Sequence, residues 1–386
     1  MPKISLLSQP RIRAICVPLL FAPLLANATP LYAVTTLGAP GPYSYAYGIN
    51  DRGQVVGVNI VQDTAGNTSF RGFVSTNGVM QDLGSLGGTR IYPRSINNAG
   101  QVVGHSTLAG DVESRAFLYS NGAMSALDAL GGSYGEANGI NTAGQVAGYD
   151  YTASNAIHAY FYASGTTQNL GTLGSYWGGY SVANGLNDDG QVVGWAFTDG
   201  SASHAFLYAN GKMTDLGTLG PSSAYSSTAI AINNFGQVVG YASTPNGSHA
   251  FLYANGVMSD LGTLGSPWSG MLFSESGATD INDLGDVIGY TDTSTGSHKP
   301  FLYTNGVMRD VNSLIDAASG WQINEVNSIN NKGQIAANAC NASGCQAVRL
   351  DLLETALVPE PQTFSLLLGG IVLLGFATRR KARKAV

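Results

Sequence analysis

The segment Gly48–Gly57 reads GINDRGQVVG, and variants of these ten residues recur along the whole chain. A second segment follows within each repeat, and its clearest copy, His204–Gly220, reads HAFLYANGKMTDLGTLG. The asparagine of the first segment returns after 47, 44, 46, 46, 49 and 48 residues, as Asn50, Asn97, Asn141, Asn187, Asn233, Asn282 and Asn330. A period of this length indicates a repeat architecture in which one supersecondary unit packs on the next.

Each repeat contains the pattern of four short strands, which we call A to D. Strand A ends at the repeated Asn, and the Asn-x-x-Gly turn that follows suits a glycine with positive φ. Strand B is Gln-Val-Val-Gly and strand C is His-Ala-Phe-Leu-Tyr, while an Asn-Gly pair, the strongest short hairpin signal, joins C to D. Four strands per repeat are typical of a β-propeller blade. The sequence therefore predicts an all-β chain, a seven-bladed β-propeller of four-stranded blades.

The two ends of the repeat region complement each other. The seventh repeat has strands A to C but no strand D before Val358, whereas Tyr32–Gly38 reads as a strand D with no strand C before it. We therefore expect the N-terminal strand to complete the last blade and to cover a sheet edge that would invite aggregation. Residues 31–353 would then form one closed domain, within the predicted domain boundaries 29–357.

Composition supports this fold and excludes one class of partner. Glycine accounts for 51 of 386 residues, roughly twice its usual share of about 7%, and each internal glycine costs a helix about 1 kcal/mol. Residues 29–360 contain 10 basic and 24 acidic residues, a net charge of −14. Because nucleic acids bind to basic surfaces, we expect no nucleic-acid partner.

The N-terminus is typical of a secretory signal peptide, residues 1–28. Basic residues Lys3, Arg11 and Arg13 precede the apolar run Ala14–Leu25, and Ala26–Ala28 supplies small residues at a cleavage site. The alternative is an uncleaved membrane anchor.

The C-terminus combines Val358, Pro359, Glu360 and Pro361 with an apolar run, Phe364–Ala377, and a basic cluster that begins at Arg379 and Arg380. This order resembles the PEP-CTERM sorting signal of Gram-negative bacteria, here residues 358–386. The resemblance implies an inner-membrane intermediate held by a short transmembrane helix, processing by an exosortase, and a final location at the cell surface or in the exopolysaccharide matrix. An ordinary single-span tail anchor is the alternative.

The repeat itself resembles the HAF family of extracellular repeats, through His204–Phe206 and His249–Phe251 together with the Asp-Leu-Gly-Thr-Leu-Gly segment. Other repeats depart from the triplet, for example at Arg71–Phe73 and Lys299–Phe301. The family implies an exported repeat protein and assigns no catalytic residue.

Two cysteines, Cys340 and Cys345, remain in the chain after the signal, and they flank a predicted hairpin loop. In an oxidising compartment a disulfide is expected, with two free thiols as the alternative.

Catalytic motifs are missing from the sequence, so we predict no catalytic residue, no metal, no cofactor and no enzymatic activity. His158, His204 and His249 share one repeat position, and Asp82, Asp215, Asp260 and Asp310 share another. A residue repeated around a ring indicates a structural role, although a cationic ring facing a polyanion is the alternative for the histidines. The competing function is a polysaccharide-processing hydrolase or lyase that uses two acids outside the repeat pattern near a central channel, drawn from Glu136, Asp188, Asp189, Glu275 and Glu325.

The loops between strands D and A vary and carry aromatic residues, which on a rigid scaffold favours binding. Aromatic faces beside neutral polar groups suit sugar rings, so we expect an exported interaction module for the cell surface or its polysaccharide. The alternative is that these side chains cap the blade cores. The candidate ligand-binding residues are Tyr134, Tyr176, Trp177, Tyr180, Tyr225, Trp268 and Trp321.

Overall fold

The computed structural model describes residues 31–38, 43–127, 130–222, 224–265, 275–292 and 298–353. Both predicted sorting segments, with the transmembrane helix expected in the second, and Trp268 lie outside the described residues. Within them the fold is all-β, as predicted, with three single-turn 3-10 helices at Tyr176–Gly178, Val311–Ser313 and Ala317–Ser319. No helix in these ranges is both long and apolar enough to cross a bilayer.

The strands follow the repeats, and we number the repeat units 1 to 7 by their asparagines. The strands of units 1 to 4 are β2 (Ser44–Ile49), β3 (Val55–Gln62), β4 (Thr68–Thr76), β5 (Val79–Asp82), β6 (Gly87–Ile96), β7 (Val102–Leu108), β8 (Ser114–Ser120), β9 (Ala123–Leu127), β10 (Gly131–Ile140), β11 (Val146–Thr152), β12 (Ile157–Ala163), β13 (Thr166–Asn169), β14 (Ser181–Leu186), β15 (Val192–Phe197), β16 (Ser203–Ala209) and β17 (Lys212–Asp215). Those of units 5 to 7 are β18 (Ser227–Ile232), β19 (Val238–Thr244), β20 (Gly247–Ala254), β21 (Val257–Gly262), β22 (Ser276–Ile281), β23 (Val287–Asp292), β24 (His298–Thr304), β25 (Val307–Asp310), β26 (Gln322–Ile329), β27 (Ile335–Asn341) and β28 (Gly344–Leu352), with β1 (Tyr32–Thr36) at the start of the chain.

In every unit the strands pair in chain order as an antiparallel meander. The predicted turn chemistry is present: Asn210 and Gly211 between β16 and β17 have φ of 52° and 77°, as a type I′ turn requires. The last glycine of the first segment has a different role, because a Cβ at Gly194 would lie 1.9 Å from the carbonyl oxygen of Val182. Only glycine allows strands A and B to approach this closely.

The hydrophobic core is divided into clusters between neighbouring units. One cluster joins Val193 of unit 4 to Ile232, Val238 and Phe251 of unit 5, all at most 8% exposed. The aromatic residue of strand C is almost fully buried in units 1 to 6, as Phe73, Phe117, Tyr160, Phe206, Phe251 and Phe301, and Val348 takes its place in unit 7. This arrangement of meanders packed face to face is β-propeller-like.

The predicted pairing of the N-terminal strand with the seventh repeat is confirmed. β1 pairs antiparallel with β28, from Tyr32 opposite Leu352 to Thr36 opposite Val348. The edge of the seventh unit is therefore covered, and Leu37 packs in the core between units 7 and 1.

The predicted disulfide between Cys340 and Cys345 is also confirmed. The two residues lie opposite each other on β27 and β28, across the hairpin that joins these strands. The bond closes a loop of only a few residues, so it constrains the unfolded chain little.

Candidate functional site

The first strands of all the units line a common space, which we call the central channel. Two cavities of about 200 Å³ each lie along it, one beside the A–B turns and the other nearer the D–A loops. Both are lined by residues from strand A of every unit, so any group that breaks the repeat in strand A changes the channel wall directly.

The repeated asparagines form a cycle of hydrogen bonds around the turn end of the channel. The Nδ2 of each donates to the backbone oxygen of the next, from Asn50 to Asn97 at 2.9 Å and onward until Asn330 donates to Asn50 at 2.8 Å. The amide oxygen accepts from backbone amides of its own turn, as Asn233 does from Phe235 and Gln237. This side chain therefore ties each turn to the next unit.

A second, incomplete ring lies three residues before each asparagine, nearer the D–A loops. Asn138, Asn184, Thr279 and Asn327 each donate to a backbone oxygen of the following unit, at 2.7 to 3.1 Å. Tyr47 of unit 1 and Arg94 of unit 2 hold the same position and line the channel. The channel wall is therefore asymmetric at units 1 and 2.

Arg94 contacts a group of polar side chains between units 2 and 3. Its Nη2 lies 3.4 Å from Oε2 of Glu136, and its guanidinium lies over the ring of Tyr47 at 5.7 Å. Glu136 is 7% exposed and accepts a hydrogen bond from Tyr134, while Nδ1 of the buried His105 lies 3.6 Å from Oε1. We call these residues, with Tyr149, the Glu136 cluster.

Electrostatics fix the protonation states of this cluster at neutral pH. Burial opposes ionisation of Glu136, whereas His105 in its protonated form, the hydrogen bond from Tyr134 and the charge of Arg94 lower its pKa; with His105 neutral, Tyr134 and Arg94 still favour the carboxylate. Burial lowers the pKa of His105 to about 4, so the imidazole is neutral. Burial and the bond to Glu136 raise the pKa of Tyr134 to about 12, and that of Tyr149 rises for the same reasons. A buried carboxylate held by two phenols is chemically distinct from the rest of the ring.

Asp280 is a second, partly buried carboxyl group in the channel wall. It accepts hydrogen bonds from Oγ of Ser328 at 2.7 Å and from the amide of Ile329 at 2.8 Å. Burial nevertheless raises its pKa to about 6. The folded chain therefore binds more protons than the unfolded chain between about pH 4 and pH 6.

The raised pKa of Asp280 predicts that the stability of the protein depends on pH, and that Asp280→Asn removes this dependence. The contribution of Asp280 to the free energy of unfolding should fall by about 2 kcal/mol as the pH rises from 4 to 7.5. Asp280→Asn should therefore gain about that much relative to the unmodified protein over the same range, in urea unfolding at both pH values. A difference between the two proteins that does not change with pH would contradict the prediction.

The predicted aromatic ligand site divides into separate environments. Tyr134 lies in strand β10 rather than in a loop, and it belongs to the Glu136 cluster. The ring of Tyr225 lies against Gly220 of its own loop. Trp321 packs against the core of unit 7, as the core-capping alternative expects.

Tyr176, Trp177 and Tyr180 remain together in unit 4. Trp177 is 73% exposed and stacks on Tyr176 with an interplanar angle of 12° and 5.6 Å between ring centroids. Phe197 packs edge-on against all three rings. Ser175 begins this loop and donates to Asp199 through both its amide and its hydroxyl group. We call these four aromatic residues the unit-4 aromatic shelf.

The two repeated polar positions are partners of each other. His204 lies 2.7 Å from Asp215, His249 lies 2.8 Å from Asp260, and corresponding pairs join Arg71 to Asp82, Lys299 to Asp310 and His158 to Asn169. The other oxygen of Asp215 accepts from the amide of Gly217. The structural interpretation of these positions is supported. In unit 2 the second position is Ala126, and Arg115 pairs with Glu113 instead.

The acids proposed as a catalytic pair are dispersed. Asp188 and Asp189 lie in the A–B turn of unit 4, whereas Glu136 and Glu325 occupy the opposite end of strand A in units 3 and 7. Glu275 precedes β22 and donates its amide to Asp292. Within the described ranges, no three His, Cys, Asp or Glu side chains form a group that could hold a metal ion.

Sequence reasoning missed Tyr47, Arg94, His105 and Tyr149. Three residues before the repeated asparagine, units 3, 4 and 7 have another asparagine, whereas units 1 and 2 have Tyr47 and Arg94. His105 directly follows the strand B glycine of unit 2, where no other unit has a histidine. Comparing the repeats position by position would have found these departures. Their convergence on Glu136 depends on how units 1 to 3 pack.

Comparisons with known proteins match two parts of the chain. Residues 179–349 match the family described as protein of unknown function DUF3466, and residues 357–381 match the PEP-CTERM protein-sorting motif. A search of curated proteins found no match.

Several solved structures are similar at low sequence identity. The β-propeller domain of the Trilobed protease from Pyrococcus furiosus is 9% identical, with 71% of this chain and 98% of that chain covered and a TM-score of 0.38. AofleA from Arthrobotrys oligospora is 12% identical over 72% and 87% of the two chains with a TM-score of 0.40. The SapL1 lectin in complex with α-methyl fucoside is 12% identical over 71% and 97%, with a TM-score of 0.39. From these comparisons, residues 179–349 are similar to the DUF3466 family and residues 357–381 to the PEP-CTERM sorting motif.

Proposed function

We propose that this protein is a non-enzymatic, glycan-binding module of the cell exterior, built on a closed seven-bladed β-propeller. The sorting motif implies export, processing by an exosortase and association with the cell surface. The cycle of asparagine bonds and the pairing of β1 with β28 support closure. The HAF-repeat identity, the inner-membrane intermediate and a Gram-negative source belong to the same proposal.

The unit-4 aromatic shelf is the observation that carries glycan binding. Trp177 is held by stacking on Tyr176 and by Phe197 beneath, and it remains 73% exposed. A rigid, exposed indole loses little entropy on contact and presents a flat face to the C–H groups of a sugar ring. The neighbouring hydroxyl group of Ser175 and carboxylate of Asp199 are polar groups that suit sugar hydroxyls.

Replacing Trp177 by Ala should weaken binding to the polysaccharide of the producing cells by about tenfold, which corresponds to ~1.4 kcal/mol. The reason is the loss of one stacking face, while the scaffold beneath is retained. Affinity electrophoresis or biolayer interferometry with that polysaccharide measures the change.

Phe235→Ala is the matched control. Phe235 is 75% exposed, similar to Trp177, but it lies in an A–B turn on the opposite face. Its removal should leave binding unchanged, and thermal unfolding of both variants shows that each is folded. Equal binding by folded Trp177→Ala and unmodified protein would refute the glycan proposal for this shelf.

A second candidate function is polysaccharide cleavage, and the Glu136 cluster favours it. An ionised, buried carboxylate, two phenols, a neutral imidazole and a guanidinium that lines the channel are groups suited to acid–base chemistry. Nε of Arg94 and Nδ1 of His105 have no hydrogen-bond partner among the described residues.

Incubating the protein with the same polysaccharide separates the two functions. Cleavage predicts new chain ends, detected as reducing sugars or as absorbance of unsaturated products, and their loss in Glu136→Gln and Tyr149→Phe. Trp177→Ala serves as the control, because it removes a proposed polysaccharide contact and leaves the Glu136 cluster intact. Binding without new chain ends would exclude the second candidate.

A further inference from the structure

Both ends of the described domain emerge at one face. β1 begins at Tyr32, opposite Leu352 at the end of β28, and the amide of Leu353 donates to the backbone oxygen of Leu31. Leu352 also lies against the A–B turn of unit 7, because a Cβ at Gly333 would be 2.4 Å from its Cδ1. The chain therefore leaves the domain at the face formed by the A–B and C–D turns, which we call the turn face.

The sorting segment follows this exit after a short connection. Ten residues, 354–363, separate Leu353 from the apolar run that begins at Phe364. Fully extended, they reach at most about 36 Å. While that run is in the membrane, the turn face is the face tethered close to the bilayer.

The turn face is not uniform. The third residue of each A–B turn is an exposed tip, and around the ring the tips are Arg52, Ala99, Ala143, Asp189, Phe235, Leu284 and Lys332. Phe235 and Leu284 are 75% and 71% exposed, and Val257 and Val307, in the C–D hairpins of the same two units, are 62% and 48% exposed. The apolar tips of units 5 and 6 are followed by the basic tips of units 7 and 1.

A surface that contacts the membrane interface needs exposed apolar side chains next to basic ones, and the tips of units 5, 6, 7 and 1 provide both. Aromatic and aliphatic side chains partition into the boundary between headgroups and acyl chains, and adjacent Lys and Arg pair with lipid phosphates. The acidic side chains of the same turns, Asp51, Asp283 and Asp286, accept hydrogen bonds from Asn331 or Asn282, which partly offsets their repulsion from phosphate.

We propose that the turn face is the membrane-proximal face of the tethered protein and that Phe235, Leu284, Lys332 and Arg52 contact the phospholipid surface. Four exposed side chains alone would bind a phospholipid surface only weakly. The tether raises the local concentration of the membrane surface, so the contact forms in the anchored protein and is lost when the tail is cleaved. The unit-4 aromatic shelf then points away from the membrane.

Fluorescence quenching in vesicles tests this orientation. The full chain, carrying Cys16→Ser, is purified from membranes and reconstituted in phosphatidylethanolamine–phosphatidylglycerol vesicles that contain a nitroxide-labelled lipid. Phe235→Cys, Ala143→Cys and Trp177→Cys each provide one site for an environment-sensitive fluorophore. We expect quenching by about half at 235, less at 143 and below about a tenth at 177, since interfacial groups lie within about 5–10 Å of the headgroup boundary. Equal quenching at 235 and 177, or none at 235, would overturn the proposal.

A second substitution separates lipid contact from mere proximity. Leu284→Ser should reduce quenching at position 235, whereas Ala99→Ser, at the equivalent tip of unit 2, should leave it unchanged. Both tips are exposed, so neither change affects the core. Unchanged quenching in Leu284→Ser would overturn the proposal as well, and dimer formation through this face in crosslinking would assign it to a second copy of the chain.

Discussion

Removing residues 31–38 should lower the thermal midpoint by roughly 5–10 °C and cause the protein to self-associate. Tyr32 and Leu37 are 3% and 2% exposed, and burial of side chains of this size contributes about 2–3 kcal/mol each. Five residue pairs with β28 are also lost, together with the bond from Ser75 to Leu37. A loss of about 5 kcal/mol corresponds to a midpoint shift of this size in a domain of roughly 320 residues, whose unfolding entropy is about 0.7 kcal/mol/K. Calorimetry and light scattering measure the two effects.

A point substitution separates core packing from edge protection. Leu37→Ala keeps β1 paired with β28 but removes a side chain from the core between units 7 and 1, so it should cost about 2–4 kcal/mol without association. Adding a peptide of residues 31–38 to the truncated protein should raise its midpoint, since the open edge can accept the strand. A truncated protein that stays monomeric with an unchanged midpoint would show that β1 is dispensable.

The parts of this fold that could be predicted are those encoded within one repeat. The positive φ of glycine in the A–B turn and the Asn-Gly hairpins depend on local sequence, and counting strands was sufficient to pair β1 with β28. The disulfide followed from two cysteines on either side of one turn. Each of these predictions used only residues close together in the sequence or the order of the strands along the chain.

The candidate site was less predictable because it depends on contacts between units. Trp177 and Trp321 are both aromatic residues of D–A loops, yet one is exposed and the other packs on the core of unit 7. Nothing in the local sequence sets the direction of each ring. The Glu136 cluster likewise needs Arg94 from unit 2 and Tyr149 from unit 3 on facing strands, and only the packed structure brings them together.

The asparagine cycle is the second feature whose loss should have a large effect. Asn233 is 4% exposed, and all four of its hydrogen-bonding positions are used: its oxygen accepts from Phe235 and Gln237, and its Nδ2 donates to the Gln237 side chain and to the backbone of Asn282. Removing this side chain leaves buried partners unsatisfied, at about 1–3 kcal/mol each. We therefore expect Asn233→Ala to lower the free energy of unfolding by about 4 kcal/mol in urea titrations.

The neighbouring Asn234 provides the matched control. It is exposed, and its side chain contacts Asp188 and Asp283 at the surface of the same turn, so Asn234→Ala should cost less than about 1 kcal/mol.

Asn233→Asp adds a chemical test. The new side chain can still accept hydrogen bonds from the two backbone amides. When it is ionised, however, it has no proton to donate to the backbone oxygen of Asn282, and the two oxygens repel each other. The Asn282 oxygen favours the protonated acid, so the folded state of this variant should bind a proton more tightly than the unfolded state. Its deficit relative to the unmodified protein should then be largest at pH 7 and shrink as the pH falls towards 4. A small, pH-independent deficit in Asn233→Asp would mean that the cycle orients the turns without holding the units together.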